Sequence, residues 1–360
     1  MRRRFSFKND NEHSLIITAN SSSTVLFQIN AFGDCEYNLN NTGWKIYSQT
    51  PFSINAGETI RFRGQLSYSS TAIGRENGIG RFIITGDVDL SGSPMYMLSS
   101  NKLAYNIFCK LFYNCTGIKN VSADFLPATT LAEYCYGQMF YGCTSLTTAP
   151  QLPATTLESQ CYEAMFDGCT SLSTAPALPV TTLASYCYRY MFHGCTSLTT
   201  APALPATTLA SGCYRGMFQG CTSLTTAPQL PATTLEDSCY NSMFSGCSSL
   251  TAAPQLPATT LVSNCYEAMF SGCSSLTAAP ELPATTLATQ CYLKMFYNCS
   301  KLNYIKAMFT TTPSTYIGSW VYGVASSGTF VKNKNATWDV TATSDNNYIG
   351  IPLGWTVQTA

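Results

Sequence analysis

"LPATTLAEYCYGQMFYGCTSLTTAP" (Leu126–Pro150) returns almost verbatim along this chain, its opening "LPATTL" recurring at even spacing at Leu126, Leu152, Leu178 (as "LPVTTL"), Leu204, Leu230, Leu256 and Leu282. A fixed period in the range of roughly 20 to 50 residues means units that cannot bury their apolar sides alone and do so by stacking. In the unit that starts at Cys161, the same residue type returns in the later copies at Cys161, Met165, Phe166, Cys169, Leu172, Leu178 and Leu183. These positions are the expected core.

Local pattern suggests how one unit folds. "CYEAMFDGC" places Cys161, Met165 and Phe166 at i, i+4 and i+5, the spacing of one face of a short helix, and Gly168 supplies a residue tolerant of the left-handed conformation to end it. "CTSLSTA" is rich in residues suited to a strand, and "PALP" stops it because proline cannot donate to a ladder. A strand, a turn and a helical turn in so short a unit make one coil of a leucine-rich-repeat solenoid. The expected fold is mostly β with short helical turns, in about eight coils, and at ~4.8 Å per coil the body is on the order of 40 Å long.

"AMFDGCTSLSTAP" and its copies resemble the BspA-like leucine-rich repeats, in which Ala-Phe, any residue and Gly-Cys-Thr-Ser-Leu precede a short strand and a proline. The chain departs in having Met before the Phe and a unit a few residues longer. The resemblance spans about residues 107–305. The later stretches "SWVYGVASSGTFVKNKNATW" and "GIPLGWTV", with the layout of a small β region ahead of the repeats, are similar to proteins encoded by phages and prophages of gut Bacteroidetes.

The flanks read differently. Residues 1–100 hold alternating runs ("SLIITAN", "TVLFQINAF", "TIRFRG", "RFIITG") divided by Gly, Asn, Pro and Ser, the pattern of a small antiparallel β-sandwich. Residues 101–305 carry the solenoid, whose first coil places Ile107 where later coils have their first Cys. Residues 306–360, with Trp320, Trp338 and Trp355 against none in the repeats, read as a small β cap.

Charge is sparse, 11% of residues with a net charge of zero, which points away from nucleic acid and from membrane insertion. Residues 127–300 carry eight acids and three bases, whereas residues 1–126 carry nine acids and twelve bases, beginning with Arg2, Arg3 and Arg4. Those arginines are followed by no apolar run, so no secretory signal is expected. No stretch nears the ~18 apolar residues of a membrane span.

Candidate chemistry is thin. The paired cysteines lie eight apart, unlike zinc-ribbon spacing, and only His13 and His193 occur, so no metal or other cofactor is expected. The cysteines, seventeen in all, read as reduced thiols filling a core. Acids such as Glu163 and Asp167 fall at positions that vary between copies and read as a solvated surface. His193 shares its position with Tyr141, Asp167, Gln219, Ser245, Ser271 and Tyr297. No Ser/His/Asp arrangement or phosphate loop is present in the sequence, and no enzymatic activity is expected.

The positions that differ between coils trace a candidate ligand-contact surface: Tyr134, Tyr141, Tyr186, Arg189, Tyr190, His193, Arg215, Gln219 and Tyr297. Aromatic rings beside small polar groups suit sugars or proteins, and a repeating surface suits a repeating ligand through avidity. The leading expectation is a phage structural or appendage protein (fibre, spike or capsid decoration) located in the virion. It would contact other virion proteins through residues 1–100 and a host-surface polysaccharide or protein through the repeats, and would assemble as a homo-oligomer. The alternatives are a bacterial cell-surface adhesin and a structural scaffold with no external ligand.

Overall fold

A computed structural model describes residues 13–67, 78–311 and 315–360. Arg2, Arg3 and Arg4 lie outside the described residues. The chain is mostly β with almost no helix, and the helical pieces among the described residues are three short 3-10 turns at Pro94–Met97, Thr315–Ile317 and Ser344–Asn346.

The N-terminal part is built from β1 (Leu15–Ala19), β2 (Ser23–Ile29), β3 (Cys35–Leu39), β4 (Lys45–Ile46), β5 (Phe52–Ile54), β6 (Thr59–Gly64), β7 (Gly80–Thr85), β8 (Val88–Gly92) and β9 (Ile118–Val121). One sheet runs β4-β3-β6-β1-β8-β9 and a second runs β5-β2-β7. Alternating burial in β1 and β2 turns Leu15, Ile17, Val25 and Phe27 inward. Phe27 stacks on Phe82 at 4.4 Å and meets the edge of Phe62, so aromatic rings supply much of this region's apolar contact.

Both sheets run on into the solenoid. All pairings of the first sheet are antiparallel except the last, β8 with β9, which is parallel and sets the direction that the coils keep. Beyond β9 the ladder thins to one-residue parallel bridges, Asn120 to Thr148, Thr174, Thr200, Thr226 and Ala252 in turn. From the second sheet, the Ile79 and Phe82 N–H groups donate to the carbonyls of Ile107 and Leu111 in the first coil. The apolar core is continuous from Leu15 to Trp355.

A single aromatic column measures the solenoid. Phe82, Phe112, Phe140, Phe166, Phe192, Phe218, Phe244, Phe270, Phe296 and Trp320 follow one another with centroids 5.2 to 6.2 Å apart. The solenoid thus has about ten turns where the repeat motif implies eight. The added turns lie at the ends, where the motif is lost but the stacking is not. At the C-terminal end β10 (Tyr304–Ala307), β11 (Thr329–Lys332) and β14 (Thr356–Thr359) form a parallel ladder, beside which β12 (Thr341–Ala342) pairs with β13 (Ile351–Pro352). Trp320, Trp338 and Trp355 bury their rings there and donate their indole N–H groups to the carbonyls of Gly350, Phe309 and Ala325.

The segment expected to be a short helix is a ribbon of consecutive turns. In the unit of Cys161, the odd-numbered N–H groups close four-residue turns: Cys161 to Glu158, Glu163 to Gln160, Met165 to Tyr162, Asp167 to Ala164 and Cys169 to Phe166. The even-numbered ones leave the segment for the next coil, Gln160 to Ser185, Tyr162 to Cys187, Ala164 to Arg189, Phe166 to Met191 and Gly168 to His193. An α-helix would send every N–H four residues back. Every fourth residue, Gln160, Ala164 and Gly168, has a positive φ (56°, 49° and 73°). Pairs therefore alternate, Cys161-Tyr162 and Met165-Phe166 turned inward and the pairs between them toward the ribbon's outer side. That rhythm of four imitates a helix in sequence.

Cys161, Met165, Phe166, Cys169, Leu172, Leu178 and Leu183 are all buried. The second cysteine of each pair has a specific partner, since the Cys169 thiol donates to the Phe140 carbonyl at 3.1 Å and the same bond recurs from Cys115 to Cys299. All seventeen cysteines are free and buried.

Candidate functional site

The turn ribbon presents its outward residues in columns, because each coil places equivalent residues one strand spacing apart, ~4.8 Å. One column runs Tyr134, Gln160, Tyr186, Gly212, Ser238, Asn264 and Gln290, and another Gln138, Ala164, Tyr190, Gly216, Ser242, Ala268 and Lys294. All of them have positive φ. For a residue other than glycine that conformation costs roughly 1–2 kcal/mol. The five backbone bonds joining each central coil to the next hold it there, as from Tyr186, Tyr188, Tyr190, Phe192 and Gly194 to Ser211, Cys213, Arg215, Met217 and Gln219.

Within this grid eight of the nine candidate residues fall in a stretch of four successive coils, on three of them, the coil of Gln160–Asp167 carrying none. Arg189 lies between the rings of Tyr186 and Tyr190, its guanidinium carbon 5.6 and 5.1 Å from their centroids. Its Nη1 pairs with Glu163 Oε1 at 3.3 Å. Tyr190 meets the edge of the His193 ring at 5.7 Å, and His193 Nδ1 is 2.7 Å from Asp167 Oδ1. That hydrogen bond raises the His193 pKa against the opposing effect of burial. Tyr141 stacks on Tyr113 at 4.7 Å, and the charge of Asp167 raises its phenol. Tyr134 lies against Glu163, where burial and that carboxylate push its phenol up. Arg215 and Gln219 occupy the next coil. Tyr297 is remote from the cluster and stacks on Tyr322 at 4.9 Å near the C-terminal end.

Two sequence readings need correction. Glu163 is not a solvated acid, since only 6% of it is exposed and its carboxylate takes a hydrogen bond from Gln160 Nε2 at 2.9 Å as well as the Arg189 ion pair. Asp167 likewise is engaged by His193 and has a side chain only 15% exposed. Their column positions, one coil before Arg189 and His193, were the signal in the sequence. It could be used only once in-register stacking was known.

Gly212 and Gly216 are the other residues that inspection of single motifs misses. A Cβ on Gly212 would stand 2.2 Å from Cε1 of Tyr186, and one on Gly216 equally close to Cε1 of Tyr190. The two rings lie over the glycine backbone of the following coil. A larger residue at either position would displace the ring it meets.

Elsewhere the coils are plain. On one side the exposed pairs Thr147-Thr148, Thr199-Thr200 and Thr225-Thr226 succeed one another, with hydroxyls such as Thr225 Oγ1 reaching the Thr199 carbonyl at 3.4 Å. Between "APALP" and "APQLP" of adjacent coils lies a shallow apolar depression of about 450 Å³ lined by Pro202, Leu204, Pro205, Pro228 and Pro231. The thiols offer no accessible nucleophile, as burial pushes those of Cys161 and Cys213 up to about 12. Among the described residues no cluster of His, Cys, Asp and Glu could hold a metal ion, and no helix is long and apolar enough to cross a membrane.

Comparison with known proteins gives one match. The family described as BspA type leucine-rich repeat region matches residues 98–225 and 214–327, in six copies, which is more than half of the chain. No curated protein and no solved structure matches it.

Proposed function

Because this chain belongs to the BspA type leucine-rich repeat family, we propose that its solenoid is a non-enzymatic recognition rod that binds a host cell-surface polysaccharide by multivalent contacts. In this reading the protein is a phage structural or appendage component. The two N-terminal sheets are a sandwich that attaches it to other virion proteins, and residues 306–360 cap the far end. The observation that carries the reading is the concentration of sequence variation on one face. The coils are nearly identical elsewhere, yet the outward ribbon positions of two coils, on either side of the Gln160–Asp167 coil, gather Tyr134 and Tyr141 on one and Tyr186, Arg189, Tyr190 and His193 on the other. Half-buried aromatic rings with polar groups at their margins suit the apolar faces and hydroxyls of sugars.

Density-gradient separation of particles from the source culture, with mass spectrometry of each fraction, tests the location. Cofractionation with virions through a salt wash supports the phage reading. Recovery only with the cell envelope overturns it in favour of a cell-surface adhesin, the reading closest to the repeat family alone. Retention of the purified chain on host polysaccharide, lost in the double variant Tyr186→Ala/Tyr190→Ala, tests the recognition itself. Equal retention of the variant removes the ribbon as the contact face and leaves the scaffold reading.

A further inference from the structure

Residues 127–300 contain three bases, Arg189, Arg215 and Lys294, and two of them stand in the same column one coil apart. Stacking at ~4.8 Å brings two like charges side by side, an arrangement that is unfavourable unless an anion intervenes. Glu163 answers Arg189 at 3.3 Å. For Arg215 no carboxylate stands within ion-pair distance among the described residues. The Nε–H groups of both arginines are buried and have no hydrogen-bond partner. Both side chains are only partly buried and lie in adjacent coils beside the Tyr186 and Tyr190 rings, so a second guanidinium charge stands on this face without a carboxylate.

The surroundings select the ligand. Tyr190 lies over Gly216, and a Cβ there would also be 3.2 Å from Gln219 Oε1, so ring, amide and guanidinium share one patch. Across the coil, Tyr186 lies over Gly212. We propose that Arg189 and Arg215 form a subsite for the oxyanion of an acidic polysaccharide, with Tyr186 and Tyr190 taking the faces of the adjoining sugars. The proposal rests on the polysaccharide-binding reading and narrows it to anionic chains. Nucleic acid, whose affinity grows with each phosphate that a cation neutralises, fits poorly, because two arginines stand alone here, with Glu163 and Asp167 before them and Glu267 two coils after Arg215.

The test uses the full chain in affinity electrophoresis at low salt, with dextran, dextran sulfate, polygalacturonate and single-stranded DNA as probes. Dextran sulfate or polygalacturonate, and not dextran, should retard the protein. Arg215→Gln should weaken that binding about tenfold, with an unchanged thermal midpoint. Lys294→Gln, more than two coils away, should leave it unaltered. Equal binding by Arg215→Gln, or DNA binding tighter than either acidic glycan, overturns the subsite. Retardation by dextran as strong as by dextran sulfate overturns the anionic preference while the polysaccharide reading stands. No retardation by any glycan, extracted host polysaccharide included, overturns both.

Discussion

The turn ribbon and the threonine side of the same coils solve one problem in opposite ways. On the ribbon, neighbouring coils are joined by backbone bonds, five between Tyr186–Gly194 and the next coil, and outward side-chain links such as Arg189 to Glu163 and His193 to Asp167 are added only at some coils. On the threonine side, a one-residue bridge such as Thr200 to Thr226 is supplemented by side-chain hydroxyls reaching carbonyls at about the limit of a hydrogen bond. Backbone bonding does not depend on residue type beyond tolerance of positive φ, so the ribbon is free to vary. Hydroxyl bonding does depend on residue type, which accounts physically for a side that is exposed and yet nearly uniform. Surface exposure alone is therefore a poor guide to where this protein can diversify.

The largest test of that contrast is alkaline. The thiols belong to the ribbon, and burial raises those of Cys161, Cys213 and Cys299 from an ordinary value of 9.0 to about 12. A raised folded pKa gives stability that is fully present below pH 9 and lost as pH rises from there toward 12. Each thiol contributes about 1.4 kcal/mol of loss per pH unit in that window, so several together exceed the ~5–15 kcal/mol of a folded domain. Urea midpoints should be flat to about pH 8 and collapse above pH 9. A flat profile to pH 11 would mean that the thiols are not enclosed.

Next in size is Phe192→Ala, which removes one ring from the column between Phe166 and Phe218 and should cost about 3–5 kcal/mol in urea unfolding. Gly216→Ala should cost about 1–2 kcal/mol for its left-handed backbone and should displace the Tyr190 ring, seen as a changed near-ultraviolet circular dichroism band. Its counterpart Gly220→Asn should cost less than Gly220→Ala, since Asn114 and Asn298 already hold that column with φ near 58°. On the opposite side, Thr225→Val should cost under about 1 kcal/mol, because its hydroxyl bond is long and exposed. A loss equal to that of Gly216→Ala would erase the distinction between the two sides.

The smallest effect belongs to His193. Its raised pKa, caused by Asp167, gives stability that is present below pH 6.5 and lost as pH rises through the folded value. With the ring side chain 39% exposed, screening reduces this to a few tenths of a kcal/mol. A nuclear magnetic resonance titration should place its midpoint above 6.5 and Asp167→Asn should lower it.

Much of the site was legible as a set and not as a place. Tyr134, Tyr186, Arg189, Tyr190 and His193 are found by comparing copies, since each departs from its column. Glu163, Asp167, Gly212 and Gly216 escaped because their importance lies in what the adjacent coil sets against them. A glycine opposite a tyrosine of the preceding coil reads as two unrelated variations until the stacking register joins them.

By itself, the regular repeat of the motif determined that this protein is a stack of coils with Cys, Met, Phe and Leu inside, because no single unit can bury that apolar set. Only the tertiary structure decided that the Cys-to-Cys segment is a ribbon of turns. Burial at i, i+1, i+4 and i+5 is common to a helix and to a chain of four-residue turns, and what separates them is whether an N–H finds its acceptor four residues back or in the next coil. That acceptor lies almost a whole repeat further along the chain, as Phe166 finds Met191, and no local pattern contains it. The same non-local bonding carries the stack past the last recognisable repeat to about ten turns, since backbone groups and buried rings continue the ladder where the motif has gone.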